Sequence, residues 1–98
     1  MKPEEIIHYM AQDFSMYLGD ALGLEDAPAD GFFDPISTVF GNEPTESSVI
    51  NVFRSKSGPR KLANELNSWL ELDQVTPDVA KNLLEVTIVN NFGASALS

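Results

Sequence analysis

Apolar residues return every three or four positions from the start of the chain: Ile6, Ile7, Met10, Phe14, Tyr17, Leu18, Ala21 and Leu22. Because each residue of an α-helix turns about 100°, this spacing predicts an amphipathic helix over residues 3–22. Pro3 suits its first turn, where a missing N–H costs nothing, and Glu4 and Glu5 complement the positive end of the helix dipole. The opposite face carries Glu5, Tyr9, Asp13, Met16 and Asp20, so two large apolar side chains stand among acids.

Residues 23–34 break the pattern with Gly23, Pro28 and Gly31 and read as a loop. Asp34-Pro35 then reads as an N-cap followed by the first helical residue. A short helix follows, with Ile36, Val39 and Phe40 inward and Gly41 as its left-handed end. Thr45 is a cap for the next segment, where Val49, Ile50 and Phe53 share a helical face; its β-branched residues leave a strand over 48–54 as the alternative. Gly58-Pro59 opens a helix over 59–72 with a stripe of Leu62, Ala63, Leu66, Trp69 and Leu70.

Thr76-Pro77-Asp78 starts the last element, in which Val79, Leu83 and Val86 lie on one face. Beyond residue 86 that face fails: a continuing helix puts Ile88 and Phe92 beside Lys81 and Glu85, and Asn90 in the middle of the apolar stripe. Either a strand takes over near 86–92 or the helix continues with a second apolar face. Asn90, Asn91 and Gly93 supply a helix end and favour the second reading. A frayed tail is expected at 94–98.

These elements predict an all-α fold, a single domain over 1–98 built as a small bundle of four main helices and one short helix. Its expected core is Ile6, Met10, Phe14, Leu18, Phe40, Ile50, Phe53, Leu62, Leu66, Trp69, Leu83 and Val86. The alternative is α+β, with short strands near 48–54 and 86–92. A length of 98 residues suits one core, and a 43% hydrophobic content argues against disorder. Cysteine is absent, which excludes a disulfide framework, a thiolate nucleophile and a Cys-based zinc site. The first residues lack the basic start and apolar run of a signal peptide, and no stretch approaches the roughly 18–20 apolar residues of a membrane span. The expected location is cytoplasmic, or the host cytoplasm for a viral protein, with no membrane association.

Charge changes the picture most. Residues 1–46 hold ten acids against Lys2 alone and so account for the whole formal charge of −9, while residues 47–98 are neutral. Four of the remaining bases, Arg54, Lys56, Arg60 and Lys61, fall within one eight-residue run. Arg60 and Lys61 occupy the first turn of a helix whose end holds Glu71 and Asp73, the reverse of what the helix dipole prefers. Local helix stability does not account for that order. The simplest account is that the acidic half of the fold neutralises this basic turn. The functional one is that it docks an acidic partner or an identical subunit head-to-tail.

Candidate chemistry is sparse. In the acidic loop, an EF-hand frame starting at Asp26 puts Asp30 at position five and Gly31 at position six, but it fails at Pro28 and at Ser37, where the bidentate Glu belongs. His8 is the sole histidine, with Glu4 and Gln12 one turn away, and reads as a surface residue; no metal site is expected. The run Ser55 to Lys61 has neither the spacing nor the setting of a phosphate loop, and direct nucleic-acid binding runs against the overall charge. Paired carboxylates such as Asp30 and Asp34 are the only candidate acid–base groups, so neither an enzyme nor a cofactor is expected.

What remains is association. Glu4, Glu5 and Asp34 serve helix ends, whereas Asp13, Asp20, Glu25, Asp26 and Asp30, with Tyr9 and Met16 among them, have no local role. They form the expected partner-binding surface of an acidic protein-binding module that docks on a basic site of a larger protein. One concrete form is inhibition of a nucleic-acid-binding protein by mimicry, in which carboxylates stand where phosphates would; the composition is similar to that of small acidic viral inhibitors. The alternative is a structural or assembly subunit of a viral particle or bacterial complex, homo-oligomeric or joined to a neighbour through Ile88, Val89 and Phe92.

Overall fold

The structure, a computed structural model, describes residues 2–23 and 29–97. It is 81% helical, and no strand occurs among the described residues, so the all-α expectation holds and the strands weighed for 48–54 and 86–92 are helix. The described residues form five helices, α1 (Pro3–Leu22), α2 (Phe33–Phe40), α3 (Glu46–Arg54), α4 (Gly58–Leu70) and α5 (Pro77–Phe92), with 3-10 turns at Ala29–Phe32 and Ala94–Leu97.

α5 is the centre of the bundle. It packs against α1, α3 and α4 and against the last 3-10 turn. A helix with neighbours on several sides must be apolar around much of its circumference. Ala80, Leu83, Leu84, Thr87 and Ile88 are accordingly buried, and Val79, Val86 and Phe92 half-buried. The loss of a single stripe beyond residue 86 therefore marks a second packed face, not a change of secondary structure.

Local chemistry sets the helix ends. Thr45 closes a capping box with Ser48: the Ser48 amide donates to Thr45 Oγ1 at 3.1 Å and the Thr45 amide to Ser48 Oγ at 2.8 Å. Thr76 caps α5 by accepting from the Val79 amide at 3.1 Å. Asp34 does not cap α2, because the 3-10 turn Ala29–Phe32 runs straight into the helix and leaves Asp34 inside the first turn. Between α4 and α5, the Asn67 side chain pairs with both backbone groups of buried Val75, donating to its carbonyl at 2.9 Å and accepting from its amide at 3.0 Å.

The α3–α4 corner depends on Gly58. A β-carbon built there overlaps the carbonyl oxygen of Val52 and lies 2.9 Å from its carbonyl carbon and 3.0 Å from Cγ1. Only glycine lets α4 begin so close to the backbone of α3.

Three expectations about packing are corrected. Trp69 is half-exposed, its indole N–H donating to Glu65 Oε2 at 3.2 Å, because Leu66 and Val75 already close the core at that end of α4. Ile50 and Phe53 are partly buried flanks of the core and Val86 is only partly buried, whereas Phe32, Ile36, Val49, Leu84 and Ile88 lie within the core. Residues 94–97 are not frayed: the 3-10 turn folds back so that Ala96 and Leu97 pack against the core.

Candidate partner-binding groove

α1 and α5 leave a groove between them. Met16, Tyr17 and Asp20 lie along α1 at the spacing that keeps side chains on neighbouring faces, with Asp13 one turn before them. Asn82, Glu85, Val86, Val89 and Asn90 form the facing wall on α5. Two hollows of about 380 and 170 Å³ share Tyr17, Val86 and Asn90 and so adjoin along the α1–α5 seam. Half-buried Tyr17 and Val86 form the groove's apolar floor; Met16, 71% exposed, and Val89, 38% exposed, are its lips. Asp20 and Glu85 stand exposed on opposite walls, and none of the lining residues is basic.

Asp13 closes one end, in a different state from the other acids. Its Oδ2 accepts from the Thr87 hydroxyl at 2.9 Å and from Asn91 Nδ2 at 2.9 Å, and its Oδ1 from Asn90 Nδ2 at 3.3 Å. Asn91 Nδ2 also reaches the Thr87 carbonyl at 2.8 Å and its Oγ1 at 3.1 Å. Thr87 is fully buried, and a buried hydroxyl without a partner is costly, so the carboxylate satisfies a group the fold cannot expose. Asp13 is thus corrected from a free surface acid to a structural one: it ties the middle of α1 to the end of α5.

The other expected partner residues divide. Asp20 and Met16 line the groove; Tyr9, 44% exposed, continues the same side of α1 two turns earlier without lining it. Asp30 is exposed on the 3-10 turn that packs against α1, α2 and α4, apart from the groove residues. Glu25 and Asp26 lie outside the described residues. The association patch does not form: Ile88 is buried, Phe92 is half-buried against the core, and Val89 alone is exposed and belongs to the groove. His8 is exposed and meets the Phe33 ring edge-on at 5.0 Å between centroids.

Among the described residues, no carboxylate comes within 4.0 Å of Lys56, Arg60 or Lys61. Arg54 and Lys56 line a separate recess with Lys81, while Arg60 and Lys61 are exposed outside it.

Tyr17, Asn82, Glu85, Val86 and Asn90 are groove residues that the sequence reading did not assign to a partner surface; Tyr17 was read as part of the apolar stripe of the first helix, Val86 as core and Asn90 as a helix end. Their visible signal was the polar Asn90 and Asn91 on a helix that is otherwise apolar there, which called for a polar partner on a neighbouring helix. Among the described residues, no three acidic or histidine side chains gather as a metal-binding group, and no helix is long and apolar enough to cross a membrane. No family model, curated protein or solved structure matches the chain.

Proposed function

We propose that this protein is a non-enzymatic binding module whose α1–α5 groove receives a basic segment of a larger protein, apolar side chains inward and Lys or Arg outward. The observation that carries the reading is the conjunction of an apolar floor, Tyr17 and Val86, with exposed Asp20 and Glu85 on opposite walls and no base among the lining residues. Such an arrangement divides the work as protein interfaces do. Buried apolar contacts supply affinity, while charges at the rim steer the approach and reject acidic partners. Inhibition of a nucleic-acid-binding protein by mimicry is the narrower form of this proposal, since the basic surface that such proteins offer to phosphates is the chemistry the groove selects.

The test is capture from the cells in which the protein is made. Three baits are compared: the wild type, a groove reversal carrying Asp20→Lys and Glu85→Lys, and a control carrying Asp30→Lys. A protein retained by the wild type and the control but lost by the reversal, with affinity falling as salt rises, supports the groove. Equal retention and equal salt dependence for all three baits would sink it. If the retained protein binds nucleic acid, direct competition for that site decides whether mimicry applies.

A further inference from the structure

The two walls of the α1–α5 groove are nearly equal in length. Asp13 to Asp20 on α1 and Asn82 to Asn90 on α5 cover about 10 and 12 Å at a rise of 1.5 Å per residue, roughly two helical turns each. The apolar floor between them is Tyr17 and Val86, and the exposed acids stand on opposite sides of it, Asp20 on the first wall and Glu85 on the second. Each apolar lip lies one turn from the acid of its own wall, Met16 before Asp20 and Val89 after Glu85.

This geometry selects the conformation of what lies in it. An extended chain needs partners for its own amide and carbonyl groups, because main-chain groups buried without them are costly. The described residues contain no strand for such a chain to continue, and the lining offers separate side chains, not a regular row of donors and acceptors. A helix brings its main-chain hydrogen bonds with it and packs through its side chains into the furrow between two others. Apolar side chains at i, i+3 or i+4 and i+7 extend over about 10 Å, which is the length of the walls. Acids on both walls then fix where the bases belong: on both edges of the apolar stripe, with their stems along Met16 and Val89 and their charged ends at Asp20 and Glu85. A basic helix whose charges gather opposite its stripe, as on one that lies on a membrane surface, would leave both walls unmet.

Resting on the groove reading above, we infer that the segment the groove receives is an amphipathic α-helix of the partner protein, roughly two turns or more in length, with Lys or Arg on both edges of its apolar stripe. Two peptides test it. The first is a helix of about four turns with leucines at the stripe spacing and lysines along both edges. The second differs only by a central proline on the side away from the stripe, which breaks the helix and keeps the leucines and lysines. Each is titrated into the isotopically labelled full chain and followed by amide chemical shifts. The expected result is saturable shifts centred on residues 13–20 and 82–90, with the proline peptide at least about tenfold weaker. Asp20→Lys with Glu85→Lys is expected to weaken the helical peptide about tenfold, because two pairings become two repulsions, and Asp30→Lys to leave it unchanged. Equal affinity of the two peptides, lost alike in the double reversal, overturns the helix and leaves the groove reading standing. Absence of saturable shifts, or binding that the double reversal does not weaken, overturns the helix in the groove, and capture with the three baits then judges the groove reading by itself.

Discussion

The groove and the recess lie on the same helix and solve the problem of charge in opposite ways. In the groove, the acid nearest the core, Asp13, is held by neutral donors from Thr87, Asn90 and Asn91, and the outer acids, Asp20 and Glu85, are left exposed. In the recess, Lys56 and Lys81 approach no carboxylate among the described residues, although acids outnumber bases fifteen to six in the chain. The difference teaches that, among the described residues, the acids of the groove and the lysines of the recess, Lys56 and Lys81, do not pair with one another. The α5 residues of the groove and of the recess are centred about 10 Å apart along the axis, at a rise of 1.5 Å per residue, which is comparable with the Debye length at physiological salt. The groove therefore presents its own sign to a partner.

The largest effect is expected where the recess is built. Gly58→Ala puts a methyl group into the Val52 carbonyl, and α3 and α4 must separate to admit it. Overpacking of a well-packed contact costs about 1–3 kcal/mol, and the upper end applies because the obstacle is backbone, not a side chain that can turn away. Urea denaturation should show the loss, and amide shifts should report it first at the recess, with the groove less disturbed. A variant as stable as the wild type would show that the corner does not rely on glycine.

Asp13→Ala is the corresponding test of the groove. It removes the acceptor shared by three side chains and leaves the fully buried Thr87 hydroxyl short of a partner, at an expected cost of about 1–3 kcal/mol. Asp20→Ala, about two turns further along the helix, removes an exposed acid without a partner among the described residues and should stay within about 0.5 kcal/mol of the wild type. Denaturation of the two variants side by side separates the structural acid from the surface one. Equal stabilities would mean that Asp13 is as free as Asp20.

How far the sequence reveals this arrangement depends on the range of the forces involved. Thr45 and Thr76 could be read as caps because a cap hydrogen-bonds three residues ahead. Asp34 was misread for the same reason in reverse: whether a turn precedes it depends on Phe32, whose burial is a tertiary matter. The period of α5 announced two apolar faces but not which neighbour each would meet, so Ile88 was expected outside and Trp69 inside, and the structure exchanges them. The groove was the least legible. Asp13 meets Thr87 and Asn91 across 74 and 78 residues of chain, and no local spacing encodes that pairing.

The smallest predicted effect sharpens the comparison most, because it separates charges that hold the fold from charges that do not. Lys81 lies over the Phe53 ring, but an exposed cation–π contact is worth only about 0.5–1 kcal/mol. Lys81→Gln should accordingly lower Tm by no more than roughly 2–8 °C, taking 4–8 °C per kcal/mol for a domain of this size. Lys56→Gln, which touches neither a ring nor a carboxylate among the described residues, should change it by less. If the lysines of the recess were kept for stability, the two substitutions together would cost as much as Asp13→Ala. A double variant that melts within a few degrees of the wild type, while Asp13→Ala melts well below it, shows that these lysines, unlike Asp13, do not hold the fold.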